Sequence, residues 1–111
     1  MFKTHVKITV VKADIFEDLA PEYGQPDENG IRHIHACPFF HVGDEFVFNL
    51  KEGITGGEFC EWAKAAIFSN LLAVAGQGGA TEPGKKKDIP PHICCCTDGL
   101  RPVVFKLEVM E

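Results

Sequence analysis

Between residues 5 and 13 the chain alternates Val6, Ile8 and Val10 against Lys7, Thr9 and Val11. A period of two is the signature of a strand with one buried face. The stretch "IFEDLAPEYG" predicts a short helical turn stopped near Pro21 and Gly24, and "QPDENG" after it reads as a loop. A turn at Gly43-Asp44 then feeds a second strand with Phe46, Phe48 and Leu50 on one side. The period changes after Thr55. Thr55 and Glu58 have capping-box spacing, which predicts a helix start. Phe59, Ala63, Ala66, Ile67 and Val74 form one helical face, and Gly76 with Gly78-Gly79 supplies the expected stop. The segment 77–91 has no periodicity and reads as a loop. Beyond it lie a cysteine-rich strand, an Asp98-Gly99 turn and a final strand from Arg101 to Val109. The expected fold is α+β, a single domain over residues 1–111. It consists of a small antiparallel sheet of about four strands packed against one long helix.

Two large apolar residues, Phe68 and Leu72, fall on the opposite helical face among Glu61, Lys64 and Ala65. That placement suggests a second contact, most simply with another copy, so a homo-oligomer formed through Phe68 and Leu72 is expected. Asn70 falls within the apolar face, where a buried amide bonded to backbone is expected.

Composition narrows the function classes. Hydrophobic residues at 45% and charged ones at 24% make an ordinary globular balance, which argues against wholesale disorder. A net charge of −5 disfavours nucleic acid and anionic membranes, both of which need a basic face. The short Lys85-Lys86-Lys87 run sits in a Gly/Pro loop and reads as a solvated tip. No leader pattern and no apolar run of membrane-spanning length is legible, so a cytoplasmic location is expected. Thiols stay reduced there, and five cysteines cannot all pair within one chain. Such cysteine density in that compartment points to metal or redox chemistry ahead of structural cross-links.

Three of the five cysteines are consecutive, in "HICCCTDGLRP". With Asp98-Gly99 as a two-residue turn, Cys96 would face Arg101 and Cys94 would face Val103. Alternation then puts Cys94 and Cys96 on the face of Val103, Phe105 and Leu107, and Cys95 on the other with Ile93 and Val104. Next-but-one positions on a strand lie roughly 6.5–7 Å apart with parallel Cβ vectors, at or beyond the disulfide range of about 4.4–6.8 Å. The triplet therefore cannot serve itself, and any chemistry needs Cys37, Cys60 or an outside group. Each cysteine also has a plain reading as small apolar filler. Cys96 and Arg101 are the catalytic candidates, because a guanidinium favours a thiolate. Cys60 is expected in the second helical turn beside Trp62, and Cys37 in a loop or strand entry before Pro38. In "RHIHACPFFH", His33, His35 and Cys37 share one face if the segment is extended, with His41 following soon after. These histidines are weaker ligand candidates for zinc, iron or copper.

Three segments together, "CPFFHVGDEF", "GEFCEWAKAAI" and "CCTDGLRPVVFKLE", resemble a numbered family of short prokaryotic proteins, in the same order along the chain. The resemblance runs from the opening "VKITVVKA" strand to the end. It implies that Cys37, Cys60, Cys95 and Cys96 occupy motif positions, together with Trp62, Asp98, Gly99, Arg101 and Pro102. The chain departs from the pattern at Lys64, where the family often has a second tryptophan. His33, His35 and Cys94 fall outside the motif, and the family offers no catalytic assignment to carry over.

Two readings follow. In the first, Cys37, Cys60 and Cys95 or Cys96 converge near Arg101 as a thiol site, either binding a soft metal or performing reversible thiol chemistry. Cys37, Cys60, Cys95 and Cys96 are the metal candidates. In the second, the chain is a non-enzymatic binding or assembly module with cysteines as core filler, and Phe39, Phe40, Phe68 and Leu72 are its contacts. No nucleophile-base-orienter set or Gly-rich phosphate loop supports a hydrolytic or transfer enzyme.

Overall fold

The computed structural model describes residues 4–26, 28–30 and 35–110. The first strand, β1 (Val6–Ala13), buries Val6, Ile8 and Val10, as its alternation requires. A four-residue helix α1 (Ala20–Tyr23) follows, then β2 (Glu45–Asn49), β3 (Gly53–Thr55), the long helix α2 (Glu61–Ala80), β4 (His92–Cys95) and β5 (Val103–Val109). The strands form one antiparallel sheet in the order β3-β2-β1-β5-β4, so the first and last strands pair with each other inside it. Helix α2 packs on β4, β5 and β1. The α+β architecture is the expected one, with a short fifth strand that three residues carry too little pattern to announce.

Helix α2 presents Ala63, Ile67, Leu71, Val74, Ala75 and Gly78 to the sheet, a stripe at spacings of three and four. Opposite it stand Val6, Ile8, Val10, Phe46, Phe48, Val103, Phe105 and Leu107. At one end the core becomes aromatic: the Phe40 ring meets Phe46, Phe59 and Phe105 edge-on, with centroids 5.0–6.0 Å apart. Phe40 is only 3% exposed, so it is a core residue rather than the partner contact expected beside Phe39. Phe68 and Leu72 do lie on the outward side of α2, although the Phe68 ring also packs on Phe48 at 5.9 Å.

The structure corrects several boundaries. The expected capping box does not form, because Thr55 ends β3 and Gly56 and Gly57 follow with φ of 107° and 136°. Gly56 lies so close to β2 that a Cβ there would stand 3.4 Å from the Phe46 Cα and the Glu45 carbonyl oxygen. The chain needs these glycines to turn off the sheet, and α2 begins only after Cys60, its N-cap. Cys60 is therefore not in the second turn, and Phe59 precedes the helix. The glycines at 76, 78 and 79 do not end α2 either; it runs to Ala80, where Thr81 donates its hydroxyl to the Gln77 carbonyl at 2.8 Å. Tertiary packing of a long apolar stripe outweighs the roughly 1 kcal/mol helix penalty of each glycine. Pro21 sits in the first turn of α1, where its missing N–H costs nothing, rather than stopping the helix. Asn70 lies at the rim of the buried stripe, with Nδ2 3.1 Å from His92 Nε2 on β4 instead of bonding to backbone.

Buried Asn49 carried no sequence signal. Its Oδ1 accepts the N–H groups of Lys51 and Glu52 at 2.9 and 2.8 Å, which holds the turn from β2 to β3. No helix among the described residues is long and apolar enough to cross a membrane.

Candidate thiol cleft

The turn after β4 is wider than two residues. Cys94 pairs with Phe105 and Cys95 with Val104, and the Cys96 N–H reaches the Val103 carbonyl at 3.1 Å. The register is shifted by two from the expected one, so Arg101 does not face Cys96 across a ladder. The cause is Asp98, whose Oδ1 accepts the N–H groups of both Leu100 and Arg101 at 2.9 Å. That arrangement is an Asx turn, and it opens the connection into a loop over 97–102. A shift by two preserves alternation. Cys94 and Cys96 accordingly lie on the core side, and exposed Cys95 points away with Ile93.

The loop is tied to the extension of β1, since Asp14 and Phe16 donate their N–H groups to the Pro102 and Leu100 carbonyls at 3.0 and 2.9 Å. The loop that carries Arg101 is thereby anchored to the body of the sheet. Between that loop, the start of α2 and the segment leading to Phe40 lies an open cleft of about 350 Å³. Cys37, Cys60 and Cys96 line it, from three separate stretches of chain. Phe40, Ala63 and Val103 form its apolar walls, and Trp62, Asp98 and Arg101 border it. Trp62, in the first turn of α2, is 78% exposed despite lining an apolar cleft.

The three sulfurs have different settings. The Cys96 Sγ accepts the Val103 N–H at 3.3 Å, so this sulfur takes a donor that a ladder carbonyl would otherwise receive. Cys60 caps α2 through its carbonyl, which accepts the Lys64 N–H at 2.9 Å, while its side chain makes no cap bond. Cys37 packs partly against the core beside Phe40. Cys94, outside the cleft, is filler against the same core. Burial pushes its thiol up to about 11, and the adjacent Cys95 adds to the shift.

Asp98 and Arg101 form the polar side of the cleft, with the Arg101 Nε 3.6 Å from Asp98 Oδ2. Burial acts to raise the Asp98 carboxyl. The N–H groups of Arg101 and Leu100 and the Arg101 charge together outweigh it, and the carboxyl lies below its ordinary 3.8.

The expected metal set is not gathered. Cys95 is on the opposite face of the sheet from Cys96, and among the described residues no three His, Cys, Asp or Glu side chains could hold a metal ion. His35 lines a neighbouring cleft, and His33 lies outside the described residues.

No family model, curated protein or solved structure matches this chain.

Among the cleft residues, Phe40 and the pairing of Asp98 with Arg101 were not legible as site features. The Asp-Gly dipeptide signalled a turn, but only the three-dimensional loop reveals that Asp98 also fixes the arginine.

Proposed function

We propose that the cleft is a thiol site working by reversible thiol–disulfide exchange, with Cys96 as nucleophile and Cys37 or Cys60 as its second thiol. The observation that carries this reading is that Cys37, Cys60 and Cys96 line the same open cleft as Arg101. Cys37, Cys60, Cys94 and Cys96 all pack partly against the core, and of these four only Cys94 does not line the cleft. Exchange runs through sulfur as an anion, and the neighbours available here are a donated backbone N–H and a guanidinium wall. Six residues of the family-like motifs, Cys37, Cys60, Trp62, Cys96, Asp98 and Arg101, border this one cleft.

Mass-spectrometric mapping after treatment of the reduced protein with hydroxyethyl disulfide tests the reading. The expected product is an internal disulfide joining Cys96 to Cys37 or Cys60, with the loss of two hydrogens, and Cys96→Ser abolishes it. Modification confined to exposed Cys95 would reject the proposal. Self-association through Phe68 and Leu72 is a second, compatible reading, supported by the outward exposure of both side chains. Sedimentation of Phe68→Ser with Leu72→Ser tests it, monomer being expected only in the variant.

A further inference from the structure

Asp98 and Arg101 line two clefts at once. On one side is the thiol cleft. On the other is a second cleft of about 340 Å³, bordered also by Tyr23, Gln25 and His35. Cavities of roughly 300–1,000 Å³ suit small organic ligands, and here the charged pair forms the shared wall.

The pair is held firmly as a unit but its two charges engage each other loosely. Asp98 commits Oδ1 to two backbone N–H groups, while Oδ2 stands 3.6 Å from Arg101 Nε. A carboxylate oxygen can accept two hydrogen bonds, and a guanidinium carries five N–H donors. Both members therefore keep unused bonding capacity. Both are also only partly exposed, at 37% and 36% of the side chain. The wall presents an anion and a cation side by side with no net charge. A ligand carrying a single charge would leave one member facing it unfavourably, and a plain anion also meets a chain of net charge −5. The complementary group carries an ammonium and a carboxylate on one carbon, which is the α-amino-acid end.

We propose, resting on the thiol-exchange reading, that the substrate is the disulfide of an amino-acid thiol, the cystine class. Its zwitterionic end spans Asp98 and Arg101, and its disulfide lies in the thiol cleft. Cys96 gives its proton to solvent and attacks one substrate sulfur. The new S–S bond forms as the old one breaks, and one amino-acid thiolate leaves and takes up a proton. The second cleft cysteine then attacks the Cys96 sulfur of this mixed disulfide, releasing the second amino-acid thiol and leaving an internal disulfide. Two protein thiols are oxidised, and one disulfide is reduced to two thiols.

The test compares exchange rates of the reduced protein at neutral pH with four disulfides: cystine, cystamine, dithiodiglycolate and hydroxyethyl disulfide. Each rate is divided by that of the same disulfide with a free small-molecule thiol, which removes intrinsic reactivity. The expected result is a normalised rate for cystine about tenfold or more above the other three, the effect of one well-placed charge-assisted contact. Arg101→Gln and Asp98→Asn each remove that advantage, the asparagine keeping the Oδ1 acceptor that shapes the loop. Equal normalised rates, or rates that follow net charge alone, overturn the substrate class and leave thiol exchange standing. Failure of all four disulfides to react overturns both.

Discussion

Asp98 holds Arg101 twice: its Oδ1 accepts the Arg101 backbone N–H at 2.9 Å, and its Oδ2 lies 3.6 Å from the Arg101 Nε. One carboxylate thus shapes the loop and aims the side chain. Asp98→Ala removes both functions and is expected to cost about 1–3 kcal/mol, the range for leaving backbone donors without a charged acceptor. Asp98→Asn keeps an oxygen at Oδ1 and should cost less. Because the folded carboxyl lies below 3.8, the native state binds fewer protons than the unfolded chain near that pH. Its contribution is present above about pH 4 and is lost as pH falls through the folded value. Urea unfolding at neutral pH and at several points below pH 4 checks this, with a shallower acid slope expected for the asparagine variant. An identical slope would remove Asp98 from the account.

Two adjacent phenylalanines should behave differently. Phe40 is buried among Phe46, Phe59 and Phe105, and it also lines the thiol cleft. Phe40→Ala is expected to destabilise by about 3–5 kcal/mol, the range for an aromatic core truncation. Phe39 is 45% exposed, and its ring meets the Phe40 ring edge-on with centroids 5.0 Å apart. Phe39→Ala should cost well under half as much in the same denaturation assay. Equal losses would mean that the aromatic end of the core is misassigned.

Local pattern made much of this fold legible. Alternation in β1 and β5 and the stripe of α2 report burial directly, so the sheet, the helix and the face occupied by Cys94 and Cys96 could be read from residue order. Features set by through-space partners could not. The start of α2 depends on how Gly56 passes the Glu45 carbonyl, and its end on what Gly78 packs against. The hairpin register turned on which N–H groups Asp98 accepts, a choice the Asp-Gly dipeptide leaves open. That neighbouring strand cysteines cannot meet was legible from alternation. That Cys96 and not Cys95 lines the cleft with Cys37 and Cys60 required the topology, because the two differ only by the side of the sheet they face.

Two glycines of α2 give opposite predictions for the same substitution. Gly76 is exposed, and a Cβ there meets nothing within 4 Å. Gly76→Ala should stabilise by about 0.5–1 kcal/mol, the ordinary helix-propensity gain. At Gly78 a Cβ would lie 2.7 Å from Thr4 Cγ2 and 2.8 Å from Val109 Cγ1. Both neighbours are short and β-branched, so neither can swing aside. Overpacking of about 1–3 kcal/mol then exceeds the propensity gain, and Gly78→Ala should lower the melting temperature while Gly76→Ala raises it. A rise in both would show that α2 does not approach Thr4 and Val109 so closely.

Cys94 supplies the alkaline counterpart to Asp98. Its thiol has an ordinary value of 9.0 and is pushed up to about 11 in the fold, where burial disfavours the anion and Cys95 adds repulsion. Between those values the native state binds more protons than the unfolded chain. Stability should therefore fall as pH rises through that window. Cys94→Val keeps an apolar side chain opposite Phe105 and removes the titration, so its stability should decline less steeply from pH 9 to 11 than that of the parent. The same burial makes Cys94 slower to alkylate at pH 8 than exposed Cys95 on the other side of the strand. Peptide mapping after timed iodoacetamide treatment reads that order directly. Modification of Cys94 as fast as Cys95 would show that its sulfur is open to solvent and would overturn its reading as core filler.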